Sequence, residues 1–224
     1  MRNMLQFLKS LSRTVHEERD QDPSNGGDDG SHKGDDGDCG SGGGGPSSLT
    51  VWRKSLFVGC SGFTVINSDG DLVYRVDNYG SHRRQELVLM DASGKPILTV
   101  SRSKKLKMVD YWLVFEGETS SKNQKPICRA TKHVNIMWPK EKTLARVYKE
   151  PYDEKNMYMI EGSYMNRSCK VLDGSRNVVA EIRRKETVTK GVSFGLEVFD
   201  LIIDQGFDSG LAMAIILLLD QMFL

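Results

Sequence analysis

Hydrophobic residues near the end of the chain form an unbroken run over 211–219. A helix of this composition is apolar on every side, so it must be enclosed by protein or by lipid. Either Asp208 or Ser209 is suited to cap its first turn, because short polar side chains accept hydrogen bonds from free helix amides. The run is shorter than the roughly 20 residues that a membrane span requires, and Asp220 interrupts it. We therefore predict a helix near 208–223 enclosed by protein, and favour it over a membrane anchor.

From residue 49 onward, hydrophobic and polar residues alternate with the period of a β-strand. Three units consist of a strand, a turn rich in Asp and Gly, and a second strand, with the turns at 67–70, 91–94 and 173–177. Such turns between β-rich runs are typical of hairpins. Further strand-like runs occupy the intervals between these units, at 111–115, 127–131, 143–148, 157–160 and 196–203. Many short strands with a single long helix indicate an all-β sandwich or barrel.

The apolar helix and the many strands together predict one architecture. A closed sheet of many strands leaves a central space, and the chain offers no other place to bury its helix. Enclosing the large apolar side chains of the helix would contribute on the order of 12–24 kcal/mol before conformational entropy is subtracted. We predict a mainly β domain over 49–224, an antiparallel β-barrel that encloses the C-terminal α-helix.

The first 48 residues have a different composition from the rest of the chain. Residues 1–19 form a short amphipathic segment, which is either a membrane-surface helix or a marginal helix that frays or docks on the domain. Residues 20–48 are rich in Asp, Gly and Ser and contain almost nothing apolar, so we predict a disordered linker. The run 35–38 lacks the alternating ligands and the terminal Glu of a calcium loop.

Charge and cysteine content limit the classes of function. Residues 1–48 contain five basic and nine acidic residues, a net charge of −4, which leaves 26 basic and 21 acidic residues and a net of +5 for 49–224. That excess is too small to indicate nucleic acid binding. The four cysteines are widely spaced without a C-x-x-C pair, which favours free thiols in a reducing compartment. Since the N-terminus also lacks the apolar region of a signal peptide, we expect a cytoplasmic or nuclear protein.

Several segments carry a resemblance to a known family through their order and spacing: 49–57, 62–67, 69–70, 88–95, Trp112 and 162–164. They resemble the plant LURP-one-related (LOR) proteins, and the similarity covers 49–224. The resemblance implies a tubby C-terminal-like fold, similar also to phospholipid scramblases, in which about twelve strands surround a C-terminal helix. It further implies an association with plant defence and no established molecular activity.

Catalytic and metal-binding motifs are absent from the sequence. No H-E-x-x-H, G-x-S-x-G or phosphate-binding loop occurs. The segment 59–62 places a serine among glycines, but its spacing favours a turn over a nucleophile elbow. His133 follows a strand, where a surface or hydrogen-bonded histidine is commoner than a catalytic base, and Cys60 is most simply a small packing residue. We predict no enzyme activity, no cofactor and no metal site.

Three basic clusters at strand ends or loops are candidates for lipid binding: Arg83 and Arg84; Arg102, Lys104, Lys105 and Lys107; Arg183, Arg184 and Lys185. Some of them would share one face if the hairpins lie side by side, and clustered cations attract anionic headgroups. The tubby resemblance implies phosphoinositides. The other interpretation is solvated charge that keeps a β-protein soluble and discourages edge pairing.

Two functions therefore stay open at this point. The first is a binding or scaffold module at phosphoinositide-containing membranes, and the second is a soluble domain that binds unknown protein partners. Direct DNA binding, which is proposed for tubby relatives, is disfavoured because no helix is free to enter a groove. Lipid scrambling is disfavoured because scramblases carry a calcium-binding segment and a palmitoylated cysteine cluster that this sequence lacks. We expect a monomer in the cytoplasm, at the plasma membrane or in the nucleus.

Overall fold

The structure is a computed structural model that describes residues 45–78, 86–103, 110–119, 124–133, 142–150, 157–185 and 194–224. Within these residues twelve strands and one helix form a single unit. The elements in chain order are β1 (Ser47–Trp52), β2 (Ser61–Ile66), β3 (Leu72–Asn78), β4 (Glu86–Asp91), β5 (Pro96–Ser103), β6 (Tyr111–Glu116), β7 (Cys128–Lys132), β8 (Thr143–Lys149), β9 (Met157–Ser163), β10 (Ser168–Leu172), β11 (Val178–Arg184), β12 (Val198–Ile203) and α1 (Ser209–Phe223).

The strands form a closed barrel in which each strand pairs antiparallel with its neighbours in the chain. The first and last strands complete the closure, with Leu49 opposite Leu201 and Val51 opposite Phe199. The prediction of a mainly β, antiparallel barrel of about twelve strands is confirmed. β1 begins at Ser47, ahead of the predicted domain start at 49. The predicted amphipathic segment 1–19 and the linker residues 20–44 lie outside the described residues.

The up-and-down strand order gives the barrel two distinct ends. All even-numbered strands finish at one end, which we call the turn end, and it contains the turns 67–71, 91–95 and 173–177. All odd-numbered strands finish at the other end. We call this end the mouth, and its strand-terminal residues are Trp52, Asn78, Ser103, Lys132, Ser163 and Arg184.

The core lies between the inner face of the barrel and the helix. Alternate residues of each strand point inward, as Val100 and Val147 do, and small side chains such as Ala130 and Ala145 leave room for the helix. Residues 210–219 of α1 are all buried, which matches a helix that is apolar on every side. The predicted enclosure of this helix is confirmed.

The helix enters the barrel at the turn end, directly after β12. The Asp208 side chain accepts a hydrogen bond from the amide of Leu211 at 2.6 Å, so Asp208 is the N-cap. Ser209, the other candidate, lies 2.6 Å from the hydroxyl of Tyr74 on β3. These contacts fix the start of the helix, which then runs through the barrel and ends at the mouth.

The three predicted hairpin turns share one hydrogen-bonding pattern. The side-chain oxygens of Asn67, Asp91 and Asp173 each accept two amide hydrogen bonds, from the residues two and four positions later, at 2.8–3.0 Å. Short polar side chains at the first position of a turn commonly bond the backbone in this way. Hydrogen bonds, first from the Ser93 hydroxyl, lower the pKa of Asp91, and those from Asn177 lower the pKa of Asp173. The three predicted hairpins are confirmed.

A close approach between β9 and β10 requires a glycine at position 162. Gly162 has a φ of 117°, and a Cβ placed there would lie 2.2 Å from the carbonyl oxygen of Ser168. Its amide also donates to the carbonyl of Lys142 at 3.0 Å. Because the obstructing atom belongs to the backbone, a side chain could be accommodated only by moving one of the two strands.

Candidate functional site

A pocket of about 550 Å³ opens at the mouth, where the helix ends. Three cations from the barrel wall contribute to its lining: Arg53, Lys54 and Arg102. The last turn of the helix contributes Asp220, Gln221 and Leu224. The remaining wall comes from residues 60–63, Asn78 and Leu87. The pocket is thus lined on one side by basic strand ends and on the other by the C-terminus of the buried helix.

The barrel wall supplies the positive charge that the end of the helix lacks. A helix C-terminus carries partial negative charge, and Asp220 adds a carboxylate in a last turn that has no basic residue. Arg53 donates from Nε to Asp220 Oδ1 at 2.7 Å, and Tyr164 donates its hydroxyl to the same oxygen at 3.3 Å. Lys132 donates from Nζ to the carbonyl of Met222 at 2.9 Å. These contacts join the helix to the wall at the mouth.

Tyr164 and Arg167 form a buried layer beneath this ion pair. The guanidinium of Arg167 lies 4.3 Å from the ring centroid of Tyr164 and 4.6 Å from that of Phe199, close enough for cation–π attraction. Its Nε also donates to the carbonyl of Leu196 at 2.8 Å. Burial, with the Asp220 charge second, raises the pKa of the Tyr164 phenol far above its ordinary value. Both groups therefore support the mouth and are not available to a ligand.

We expect Arg53→Met to lower the free energy of unfolding by about 2 kcal/mol, because it leaves the Asp220 carboxylate without its cation in a half-buried place. Chemical denaturation at neutral pH measures this change. The double variant Arg53→Met/Asp220→Asn removes both charges and should recover most of the loss. Equal instability of the single and double variants would contradict this account of the pair.

The structure describes four of the nine residues predicted to bind lipid. Arg102 lies at the mouth, where its guanidinium covers the Trp112 ring at 5.5 Å and pairs with Asp110. Arg183 is exposed and pairs with Glu181 at 2.6 Å, and Arg184 is exposed at the end of β11. The other five lie outside the described residues: Arg83, Arg84, Lys104, Lys105 and Lys107.

Lys185 does not have the exposed position that the sequence interpretation assumed. Its ammonium group donates to Asp200 at 2.8 Å and to Thr50 at 3.0 Å on the outer wall, and its side chain is only 4% exposed. Asp200 and Thr50 are directly opposite in the β1–β12 pairing, so the lysine connects the two strands that close the barrel. Lys185 is therefore engaged in closure and contributes no free charge to the mouth.

Charged side chains are divided unevenly between the two ends of the barrel. In the described loops and the two terminal residues of each strand, the turn end carries more carboxylates than cations: Asp69, Asp71, Asp91, Glu116, Glu118, Glu150, Asp173, Asp204 and Asp208 against Lys95, Lys125, Arg129, Lys149 and Arg176. By the same criterion the mouth has the opposite balance: Arg53, Lys54, Arg102, Lys132, Lys142, Arg167, Arg183, Arg184 and Lys185 against Asp77, Glu86, Asp110, Glu197 and Asp220. This distribution favours positive potential at the mouth.

Two of the cysteines have environments that suppress thiol chemistry. Burial raises the pKa of Cys128 to about 11 and that of Cys169 to about 12, so both remain protonated thiols in the core. Among the described residues no group of three or more His, Cys, Asp and Glu side chains is arranged to hold a metal ion. No helix in the described part of the chain has both the length and the hydropathy needed to cross a membrane.

The sequence interpretation missed the residues that build the mouth. It named Arg102 but not Arg53, Lys54 or Lys132, because single cations at strand ends do not stand out as clusters. One signal was present: Asp220 interrupts the apolar run of the helix, and a carboxylate at that depth requires a cationic partner. The identity of that partner depends on strand order, which the sequence pattern alone does not supply.

The fold and the mouth define a class of protein, a twelve-stranded antiparallel barrel around its C-terminal helix with a basic opening. The family model for LURP-one-related proteins matches residues 47–220. The chain belongs to the LURP-one-related family, which confirms the resemblance predicted from the sequence.

Individual relatives agree with this assignment. The chain is 51% identical to Arabidopsis thaliana protein LURP-one-related 17 over 81% of this chain and 85% of the relative. It is 50% identical to LURP-one-related 8 from the same plant over 78% and 86% of the two chains. An X-ray structure of another Arabidopsis thaliana protein superimposes with a TM-score of 0.55 over 78% of this chain and 90% of that chain. Because the sequence identity to that structure is 21%, it supports the fold alone.

Proposed function

We propose that this protein is a non-enzymatic binding module whose mouth associates with anionic membrane lipids, with phosphoinositides as the lipid class. The observation that carries the proposal is the uneven charge, since the mouth is basic where the turn end is acidic. A protein with this charge distribution approaches an anionic surface with its mouth first. Each cation near such a surface contributes about 1 kcal/mol to the free energy of binding, so a small cluster is sufficient for reversible binding.

The strand topology adds to this support. β3 ends at Asn78 and β5 ends at Ser103, both at the mouth. The sequence that follows β3 contains Arg83 and Arg84, and the sequence that follows β5 contains Lys104, Lys105 and Lys107. Both strands therefore end at the same end of the barrel as the described cations Lys54 and Arg102. A shared starting point favours their joint contribution to one surface.

A binding role is favoured over catalysis by the way the polar groups of the mouth are used. Asp220, Tyr164 and Arg53 are joined to one another, and Arg102 is paired with Asp110. A catalytic acid or base must instead be placed to reach a proton of the substrate. We therefore assign these groups to holding the mouth in shape.

The anionic lipids that such a surface would meet lie on the cytoplasmic face of the plasma membrane. We place the protein there, at least transiently, with the remainder in the cytoplasm. The link to plant defence that the family resemblance implies would then act through recruitment to that membrane. A soluble domain that binds a protein partner and no lipid is the alternative.

The test compares charge reversals at the two ends of the full-length chain. We expect Lys104→Glu/Lys105→Glu/Lys107→Glu to weaken binding to phosphatidylcholine vesicles containing phosphatidylinositol bisphosphate by roughly a hundredfold, from about 1 kcal/mol for each cation lost. Vesicle co-sedimentation at several salt concentrations measures the change. The matched control is Lys95→Glu/Lys125→Glu/Lys149→Glu, which changes net charge equally at the turn end.

The outcomes separate the two functions. Binding that falls with added salt, and that only the mouth variant loses, supports lipid association through the mouth. Equal losses in both variants would indicate a response to net charge alone and would contradict a defined surface. If the unmodified protein does not bind anionic vesicles at low salt, the result favours the interpretation as a soluble protein-interaction domain.

A further inference from the structure

Exposed apolar side chains concentrate at the same end of the barrel as the cations. Among the described residues, the exposed large hydrophobic side chains at the mouth are Val58, Met165, Leu196 and Leu224. One other, Val178, lies at the turn end, where β11 begins. Single exposed apolar residues are ordinary on protein surfaces, but their collection at one end of a barrel is not explained by folding.

These four side chains come from separate connections that meet at the mouth. Val58 lies between β1 and β2, Met165 between β9 and β10, Leu196 before β12, and Leu224 after the helix. Hydrogen bonds bring these connections together. The amide of Arg53 donates to the carbonyl of Glu197 at 2.8 Å, and Arg167 donates to the carbonyl of Leu196. The apolar groups therefore surround the mouth at several points.

The loop that carries Val58 has a firmly bonded base and an exposed tip. Ser55 is buried, and its hydroxyl donates to Asp77 at 2.5 Å while accepting from the amide of Phe57 at 3.1 Å. The carbonyl of Lys54 accepts from the hydroxyl of Thr64 at 2.7 Å. These bonds hold the base of the loop against β2 and β3.

At the tip itself, Val58 has no packing role. Gly59, with a φ of 83°, turns the chain back, and the amide of Cys60 reaches the carbonyl of Phe57. Val58 projects from this turn and is fully exposed. A β-branched apolar residue gains nothing from exposure in a turn, and turn positions are usually filled by Gly, Asn, Asp, Ser or Pro.

We propose that these apolar tips, with Val58 foremost, insert into the interfacial layer of an anionic bilayer while the neighbouring cations bind the headgroups. This inference rests on the proposed membrane association and adds the part of the surface that enters the lipid. The tips stand on different loops, and Lys54, on the same loop as Val58, lines the mouth pocket together with Leu224. A fluid bilayer admits separated tips independently, whereas a protein groove requires one continuous apolar face.

The test uses one valine from each end of the barrel in the full-length protein. We expect Val58→Asp to weaken binding to phosphatidylcholine vesicles containing phosphatidylinositol bisphosphate by about tenfold or more, since the burial of a valine side chain is lost and a negative charge is brought to an anionic surface. Val178→Asp makes the same chemical change at the turn end and should leave binding unaltered. Because Val58 makes no packing contact, its replacement does not confound binding with unfolding; thermal melts of both variants check this.

A gain-of-binding variant gives the complementary readout. Val58→Trp should tighten vesicle binding and shift its added tryptophan emission to shorter wavelength, because indole prefers the membrane interface. Val178→Trp should do neither. The apolar contribution should also persist at salt concentrations that screen the cations.

The results distinguish failure of this inference from failure of the proposed function. If the unmodified protein binds and the Lys104/Lys105/Lys107 reversal abolishes binding, but Val58→Asp and Val58→Trp behave as the unmodified protein, insertion is overturned and electrostatic association stands. If the unmodified protein binds no anionic vesicle, both are overturned. Loss of binding in Val58→Asp alone, with a blue shift in Val58→Trp alone, establishes insertion at this tip.

Discussion

Removal of residues 211–224 is expected to leave a chain that does not fold. The barrel interior would lose nine consecutive buried side chains, at 211–219, together with that of Met222. Their burial contributes on the order of 20 kcal/mol, which exceeds the roughly 5–15 kcal/mol by which folded domains are stable. The inward faces of the strands would then have no partner. Circular dichroism melts and proton NMR dispersion measure the loss.

A graded version of the same experiment avoids the all-or-none result. Leu217→Ala, at a fully buried position, should cost about 2–5 kcal/mol while the barrel persists. Removal of residues 20–44 is the control for chain length, since the composition of this part of the predicted linker offers almost nothing apolar to bury. A cooperative melting transition in the chain that lacks 211–224 would show that the barrel folds without its helix.

Gly162→Ala should destabilise the barrel by about 3 kcal/mol, which sums the cost of an unfavourable backbone conformation and of overpacking. The new methyl group would lie 2.2 Å from the carbonyl oxygen of Ser168, so β9 and β10 must separate. That separation also strains the hydrogen bond from the Gly162 amide to Lys142. Chemical denaturation measures the change in the free energy of unfolding.

A second glycine separates the two causes. Gly117 has a φ of 66°, and a Cβ placed there meets nothing within 4 Å. Gly117→Ala therefore carries the backbone cost alone, about 1–2 kcal/mol. If the two substitutions cost the same, the approach of β9 to β10 is looser than the structure places it.

Most of the fold could be predicted from the sequence because its determinants are local. The alternation of apolar residues marks each strand, and the polar residues at Asn67, Asp91 and Asp173 mark the turns that join them. The unbroken run over 211–219 requires enclosure on all sides, and a closed sheet supplies it. In each case the residues that decide the structure are neighbours in the chain.

The details that the sequence did not provide depend on partners far apart in the chain. Lys185 was grouped with Arg183 and Arg184 as a surface cluster, yet its charge is used by Asp200 and Thr50. The register of β1 against β12 decides this pairing, and no local pattern encodes that register. Prediction of the mouth residues also depends on strand order, since that order determines which loops lie at the same end of the barrel.

Closure of the barrel through β1 and β12 has a consequence for biosynthesis. The two strands that close the sheet are separated in sequence by nearly the whole domain, with Ser47 opposite Ile203. Contacts between such distant parts of a chain form slowly, because a long loop must be organised before they are gained. β12 and the helix are also synthesised after all the other strands. The earlier strands therefore expose their apolar faces until the sheet can close. We expect the nascent chain to depend on chaperones during this interval and to acquire its native structure only after β12 and the helix have left the ribosome.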